Sequence, residues 1–140
     1  MIVLDTNVLS ALMLKIPHTA VTEWLDRQSH LSIWTTSVTV FEIRFGLSSM
    51  PAGRRRVQRV TVFERILADV IDQRVASFDG AAAERAAELA AERRRTGRPG
   101  ELRDTMIAGI VLASHAKLAT RNVKNFEDIA SSVVNPWDRS

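Results

Sequence analysis

Short apolar runs and helical apolar spacings alternate along this chain, and together they predict where its strands and helices lie. Short, mostly apolar runs that end at a polar or turn residue are typical of strands buried on both faces of a parallel sheet. Such runs predict strands at residues 2–5, 31–35, 75–78 and 118–120, and a short edge strand at 133–134 before Asn135 and Pro136.

Apolar residues spaced three and four apart predict amphipathic helices between these strands. Helices are expected at residues 8–14, around 21–25, from the capping residues Thr36 and Ser37 to about 49, and at 54–72, 81–95 and 103–116, with breaks at Pro17, 51–53 and 96–100. This alternation predicts an α/β fold whose parallel sheet of four to five short strands carries helices on both faces. The 140 residues fit a single domain, residues 1–140.

Composition narrows the chemistry that such a domain can carry. Hydrophobic residues make up 46% and charged residues 25%, as in an ordinary globular protein. Cysteine is absent, and His18, His30 and His115 have no mutual spacing suited to metal ligation, so any metal is expected to be bound by oxygen. The chain opens without a basic leader or long apolar segment, which predicts a cytoplasmic protein with no membrane partner.

The basic residues are concentrated in two arginine clusters, although the net charge is only +3. One comprises residues 54–56 with Arg59, and the other 93–95 with Arg98. Solvated helix faces are the plain interpretation. Contact with a phosphate backbone or an acidic partner chain is the functional one.

Asp5 is the acid best placed for a ligand site, because it follows the first predicted strand directly. In open parallel sheets, ligands bind beyond the carboxyl ends of the strands. The alternative role for Asp5 is a helix N-cap, to which aspartate is well suited.

Two further acids fall on helix positions that are expected to face inward. Val38, Phe41 and Phe45 form an apolar stripe, and Glu42 lies about 40° from Val38 at the border of that stripe. Asp104 is three residues before Ile107, on the apolar side of the late helix. The alternatives are a solvent-reaching border residue for Glu42 and helix capping for Asp104.

These three acids gain weight together, because the predicted architecture directs them to one edge of the sheet. Carboxylates held so near to one another repel until a divalent cation neutralises them. An oxygen-only ligand set suits magnesium (Mg2+), with manganese (Mn2+) as a substitute. Asp5, Glu42 and Asp104 are therefore candidate metal ligands, and metal-assisted phosphodiester cleavage is the chemistry that follows from them.

Four motifs in this order resemble the PIN-domain family, particularly bacterial VapC-type toxins of the FitB-like branch. They are Asp5-Thr6-Asn7, Val40-Phe41-Glu42, the run 103–108 that contains Asp104, and Ala119-Thr120-Arg121-Asn122, with a closing Asn135-Pro136-Trp137. The resemblance spans essentially the whole chain. It implies a three-layer α/β/α fold and a magnesium-dependent endoribonuclease, the toxin of a type II toxin–antitoxin module.

The resemblance also implies partners and further site residues. The chain would form a homodimer and a hetero-oligomer with a VapB-like, DNA-binding antitoxin that reaches the acidic sites, and its substrate would be RNA.

Thr6, Asn7 and Thr120 would support the ligands or bound water, and Arg121 contacts either substrate phosphate or its own sheet edge. Asn122 stands where many members have aspartate, so a second metal would be held more weakly. Glu101, Asn125 and Asp128 lie close enough in sequence to assist, or are loop and helix-surface residues.

Two other functions remain open at this point. Asn122 would also suit a weakly catalytic PIN domain that acts mainly as the partner of a DNA-binding antitoxin in promoter autoregulation. A metal-dependent phosphatase or receiver-like domain also places an aspartate after its first strand, but phosphatases with an aspartyl nucleophile usually show a second aspartate two residues on. Here that residue is Asn7.

Overall fold

The computed structural model describes residues 1–139 and confirms an α/β fold with a central parallel sheet. The strands are β1 (Ile2–Leu4), β2 (Ile33–Thr36), β3 (Val75–Ala76), β4 (Lys117–Ala119) and β5 (Val133–Val134). The helices are α1 (Thr6–Leu12), α2 (Thr19–Asp26), α3 (Ser37–Ser48), α4 (Arg54–Arg65), α5 (Gly80–Arg95) and α6 (Leu102–Ala113). Within the described chain, every strand pair is parallel.

The strand order is β3-β2-β1-β4-β5, which places the first strand at the centre of the sheet. Val3 pairs with Trp34 of β2 on one side and with Leu118 of β4 on the other. The chain moves outward from β1 to β2 and β3, and then returns to add β4 and β5 on the opposite side. The gap between β1 and β4 is therefore the point where the direction of winding reverses.

Helices cover both faces of the sheet, which explains why every residue of β1 is buried. Ile2 and Leu4 pack in one apolar cluster with side chains from α1 to α4, whereas Val3 packs in a second cluster with α5 and α6. Side chains of a strand point alternately to its two faces. An uninterrupted apolar run is thus what a strand between two helical layers requires.

Polar residues begin the helices that follow the strands. The side chains of Asp5, Thr36 and Asp79 each accept a hydrogen bond from a backbone N–H in the first turn of α1, α3 and α5. Such caps satisfy backbone donors that a helix start leaves unpaired. Because Asp5 directly follows β1 and Thr36 is the last residue of β2, the chain turns from strand to helix without a loop.

Several predicted boundaries shift in the structure. The helix predicted at 54–72 is α-helical only to Arg65 and continues as a π-helical segment, Ile66–Val70. The strand predicted at 75–78 forms only Val75–Ala76. A 3₁₀ turn at His30–Ser32 delays β2 to Ile33. The ends of the two strands depend on pairing with neighbouring strands, which periodicity within one segment does not record.

One close helix contact holds α5 against α6. A Cβ atom built on Gly109 of α6 would lie 2.5 Å from the Ala82 carbonyl oxygen and 2.9 Å from the Ala86 amide nitrogen. Both atoms belong to the backbone of α5, so neither can rotate away. Glycine is therefore what allows this separation of the two helices.

Among residues 1–139, we find no helix that combines the length and the apolar character needed to cross a membrane.

Candidate active site

The predicted acids lie at the carboxyl edge of the sheet, where β1 and β4 end side by side. The Asp5 amide donates a hydrogen bond to the Ala119 carbonyl at 2.9 Å, so Asp5 and Thr120 are neighbours across the two strand ends. This is the point where the winding of the sheet reverses. Crevices at such points are the usual ligand sites of open α/β sheets.

Asp5 is only 3% exposed and is held by three donors. Its Oδ1 accepts from the Thr6 amide at 2.7 Å, and its Oδ2 accepts from Thr120 Oγ1 at 2.7 Å and from Asn7 Nδ2 at 3.4 Å. Burial raises the pKa of Asp5, Glu42 raises it further, and the three hydrogen bonds partly oppose the rise. The capping role and the site position therefore coexist in one side chain.

Glu42 reaches the same edge from α3. Its Oε1 accepts a hydrogen bond from Thr6 Oγ1 at 2.9 Å, so one residue joins Glu42 to the helix that Asp5 caps. Arg103 lies 3.8 Å from Oε2 of Glu42. Burial raises the pKa of Glu42, while Thr6 and Arg103 lower it.

Asp104 lies in the first turn of α6, but it is not the cap of that helix. Glu101 caps α6 by accepting the Asp104 amide hydrogen at 3.0 Å, which leaves the Asp104 carboxylate available. Asn125 donates to Asp104 Oδ2 at 3.2 Å. Burial raises the pKa of Asp104, followed by repulsion from Asp5 and Glu101.

A magnesium or manganese ion fits the chemistry of these donors. All three side chains offer carboxylate oxygens, the ligands that these hard cations prefer. Within residues 1–139, no three acidic or histidine side chains lie close enough together to hold one ion by direct contact alone. Magnesium normally keeps several of its waters and takes only one or two protein carboxylates, so this spacing is compatible with the ion.

The supporting residues predicted from the sequence surround Asp5. Thr120 is fully buried, and its Oγ1 accepts from Asn7 Nδ2 at 3.2 Å and from the Asn122 amide at 3.0 Å. Asn7 Oδ1 accepts from the Arg121 amide at 3.1 Å. Asn7 and Thr120 thus join the start of α1 to the end of β4 beneath the Asp5 carboxylate.

Arg121 and Asn122 lie at the rim, and both are exposed. The Arg121 guanidinium stacks over the Trp137 ring, 4.9 Å from its centroid, which matches the packing interpretation of this residue. A contact of Arg121 with substrate stays a prediction. Within residues 1–139, the Asn122 side chain makes no hydrogen bond, so its role in the site also stays a prediction.

The expectation that Phe41 and Phe45 face inward with Val38 is wrong. They are 59% and 61% exposed, whereas the buried residues of α3 are Val38, Thr39, Ile43 and Leu47. At 100° per residue, that buried arc runs from Val38 through about 180° and includes Glu42 at about 40°. Glu42 therefore points inward, as predicted, but beside a different set of neighbours.

The sequence reasoning missed Arg93, which is buried beside Asp104 and belongs to an arginine cluster interpreted as a solvated face or a binding surface. A signal was present. The spacing Ala82, Ala86, Leu89, Arg93 places the arginine on the buried stripe of α5. The sequence alone does not say what partner such a buried charge finds.

The raised pKa values predict how stability changes with pH. Asp5, Glu42 and Asp104 bind protons more tightly in the folded state, so their contribution to stability is fully present below the ordinary pKa of about 4 and is lost as pH rises through the raised values. As the pH rises through the raised pKa values, we expect the melting temperature of the metal-free protein to fall relative to that of an Asp5→Asn/Glu42→Gln/Asp104→Asn variant.

Magnesium should reverse this trend, because the metal competes with protons for the same oxygens. Thermal unfolding between about pH 4 and pH 8, with EDTA or with magnesium, measures both effects. Arg93 binds Asp128 and lowers its pKa, so the stability that Asp128 contributes is lost only at pH values below its ordinary pKa. That loss can therefore be told apart from the effect of the three site acids. A constant difference between wild type and variant across this range would contradict the assigned shifts.

Comparison with known proteins gives consistent matches over nearly the whole chain. The model of the PIN domain family matches residues 2–131. A plasmid stability protein StbB of Pseudomonas syringae pv. tomato is 37% identical over 138 residues, which cover 99% of each chain. A VapC ribonuclease of Sinorhizobium fredii is likewise 37% identical over 138 residues and 99% of each chain. A solved structure of FitAB bound to a DNA fragment superposes with a TM-score of 0.89 at 26% identity, covering 100% of this chain and 98% of that chain.

Proposed function

This chain belongs to the PIN-domain family, and we propose that it is a magnesium-dependent endoribonuclease, the toxin of a type II toxin–antitoxin pair. The observation that carries the nuclease proposal is that Asp5, Glu42 and Asp104 lie around the carboxyl end of β1, spaced more widely than direct ligation of one ion by all three requires. Burial raises the pKa of each, and repulsion from another acid of this group adds to the rise. A divalent cation relieves that repulsion and brings the phosphate of a nucleic acid with it.

In this proposal Asp5 and Asp104 hold the ion, and Glu42 contributes directly or through water. When bound, the ion supplies an electrophilic centre that activates water and neutralises charge developing on the phosphate. Thr6 keeps Glu42 in place, while Asn7 and Thr120 fix the orientation of Asp5. No side chain acts as a covalent nucleophile.

The direct test is cleavage of a mixed RNA substrate by the purified protein. We expect cleavage with magnesium or manganese, none with excess EDTA, and recovery when the metal is restored. Cleavage that persists in EDTA would contradict the metal dependence. Binding of the metal to the RNA-free protein, followed by calorimetry, shows whether the ion site exists before substrate arrives.

The toxin assignment rests on the similarity to a VapC ribonuclease and to a solved FitAB complex with DNA. We expect a small DNA-binding antitoxin, encoded beside this chain, to form a stable complex with it and to inhibit cleavage. RNA and such a partner are both met in the cytoplasm, where we expect the protein to act. Co-expression with the adjacent reading frame, followed by co-purification and an RNA cleavage assay, tests the pairing.

A second function is favoured by one observation, the neutral Asn122 at the exposed rim of the site. An amide brings no charge to a second cation, so a weakly catalytic domain acting mainly with its antitoxin at a promoter is the alternative. Tight binding to antitoxin and operator DNA without measurable RNA turnover would favour this alternative. Metal binding coupled to turnover would favour the nuclease.

The exposed aromatic face of α3 is the surface we assign to a homodimer contact. Phe41 and Phe45 stack with ring centroids 6.2 Å apart, and they line a groove of about 520 Å³ with Phe78, Leu102 and Met106. Contiguous exposed apolar side chains of this kind mark interaction surfaces. A two-fold dimer uses the same patch twice, which a self-complementary apolar face permits.

A Phe41→Ser/Phe45→Ser variant is expected to be monomeric where the wild type is dimeric. Because both side chains are more than half exposed, the variant monomer should still fold, with its melting temperature lowered only by the loss of subunit association. Light scattering after size-exclusion chromatography gives the mass, and a Val57→Ser variant, 63% exposed on α4, is the matched control. An unchanged dimer mass would disprove this interface, and loss of antitoxin binding alone would reassign the face to that partner.

A further inference from the structure

Arg93 is the one arginine of its cluster that turns into the protein. Its side chain is 4% exposed, while Arg94, Arg95 and Arg98 are exposed. A buried guanidinium is unfavourable unless its nitrogens find acceptors. Each of the three nitrogens of Arg93 donates at least one hydrogen bond.

The guanidinium of Arg93 joins three separate segments of the chain. Nε and Nη2 bind the two oxygens of Asp128, each at 2.8 Å, and Nη2 also donates to the Asn125 carbonyl oxygen at 2.8 Å. Nη1 donates to Thr105 Oγ1 at 3.0 Å. Arg93 thus links the end of α5 to the first turn of α6 and to the turn Val123–Phe126 that follows β4.

Of the two segments held by Arg93, one contacts Asp104 and the other contains it. Asn125, whose carbonyl Arg93 binds, donates from its side-chain amide to Asp104 Oδ2 at 3.2 Å. Thr105, whose hydroxyl Arg93 binds, directly follows Asp104 and donates to the Glu101 carbonyl at 3.1 Å. Arg93 therefore fixes the backbone on one side of the Asp104 carboxylate and the hydrogen-bond donor on the other.

We propose that Arg93 is a positioning residue that holds Asp104 in the orientation needed to bind the divalent cation. It acts through Asn125 and the first turn of α6 and contacts neither metal nor substrate. The inference rests on the proposed function, since it assigns a metal to Asp104. Asp128 and Asn125 then belong to the support of the site.

Arginine is required here by geometry as well as by charge. The planar fork binds both oxygens of Asp128 and still reaches a carbonyl and a hydroxyl, which a lysine ammonium cannot do at once. The surrounding loop is shaped to the fork. Gly100 has φ +69°, and a Cβ atom there would lie 3.1 Å from Nη1 of Arg93.

Arg93→Lys separates position from charge, because the positive charge near Asp104 is kept while the fork is lost. We expect its affinity for manganese, measured by calorimetry on the RNA-free protein, to fall about 10-fold. Losses of 10- to 100-fold are typical when residues that orient metal ligands are changed. In the metal-free protein, amide hydrogen exchange at residues 102–104 and 125–128 should accelerate.

The matched control is Arg74→Lys. Arg74 is also mostly buried and donates to the backbone carbonyls of His30, Ile33 and Val70, but it directly precedes β3 and lies at the amino ends of the strands, opposite the site. Its replacement should lower the melting temperature and leave manganese affinity unchanged. If Arg93→Lys behaves in the same way, Arg93 is only structural and the proposal is wrong.

Asn125→Ala keeps the proposal testable if Arg93→Lys does not fold, because Asn125 is exposed. It removes the amide that contacts Asp104 and should weaken manganese binding by a similar factor. Since part of the effect of Arg93 passes through Asn125, the double variant should lose less affinity than the sum of the two single losses. Unchanged affinity in Asn125→Ala would overturn the proposal.

The wild-type protein separates the two levels of inference. If wild type neither binds manganese nor cleaves RNA, the proposed function fails. If wild type does both and the variants retain full affinity, only the role of Arg93 fails.

Discussion

Asp5→Asn is expected to reduce RNA cleavage by more than about 100-fold and to abolish detectable magnesium binding. Changes to residues that merely orient metal ligands already lower affinity or activity by about 10- to 100-fold, and Asp5 is the acid at the reversal point of the sheet. An amide retains one oxygen but loses the charge that attracts the cation. Single-turnover cleavage of RNA, with calorimetry for magnesium, measures both effects.

The variant should nevertheless fold. Asparagine caps helices about as well as aspartate, so its side-chain oxygen can accept the Thr6 N–H in place of Asp5 Oδ1. The substitution also removes a charge whose burial is unfavourable, as its raised pKa indicates. Asp26→Asn, at the exposed end of α2, is the control for a charge change elsewhere. Full cleavage by a clean Asp5→Asn preparation would exclude Asp5 as a ligand.

Gly109→Ala is expected to destabilise the protein by about 1 to 3 kcal/mol, the range for forcing extra atoms into a packed interior. The new Cβ would meet the Ala82 carbonyl oxygen at 2.5 Å, so α5 and α6 must separate. Alanine normally favours a helix over glycine by about 1 kcal/mol, so a loss here reports the contact rather than helix propensity. Urea unfolding gives the free energy.

Gly46→Ala supplies the opposite case. Gly46 lies within α3, and a Cβ there would meet nothing within 4 Å. This substitution should raise the free energy of unfolding by up to about 1 kcal/mol. Equal effects at the two glycines would show that the close approach of α5 and α6 is not what position 109 requires.

The alternation of short apolar runs with helical spacings was enough to predict the parallel sheet and the six helices. It also directed three distant acids to one edge, and the structure brings Asp5, Glu42 and Asp104 there. The reason is that burial on both faces leaves an unbroken apolar strand, while one-sided burial leaves a stripe on a helix. Such patterns involve residues that are near one another in sequence, so they can be recognised without knowing the tertiary structure.

Local patterns determined less about the orientation of α3. Phe41 and Phe45 are apolar and have the helical spacing of core residues. They nevertheless face outward, while Glu42, which lies between them in sequence, faces inward. An apolar stripe records that a face avoids water, and it does not distinguish this domain's core from a surface that another chain covers. The apolar spacing also did not distinguish the π-helical segment after α4 from an α-helix or predict the shortened β3.

The sequence by itself determined the kinds of elements and their order, because both are recorded in residue spacing, and it singled out three acids as candidate ligands. Tertiary structure decided the rest. The strand order placed Asp5 at the reversal point, and the approach of α5 to the turn after β4 gave Arg93 its partners on Asp128 and Asn125. These contacts join residues more than thirty positions apart, and only the packing of whole elements brings such residues within hydrogen-bond distance.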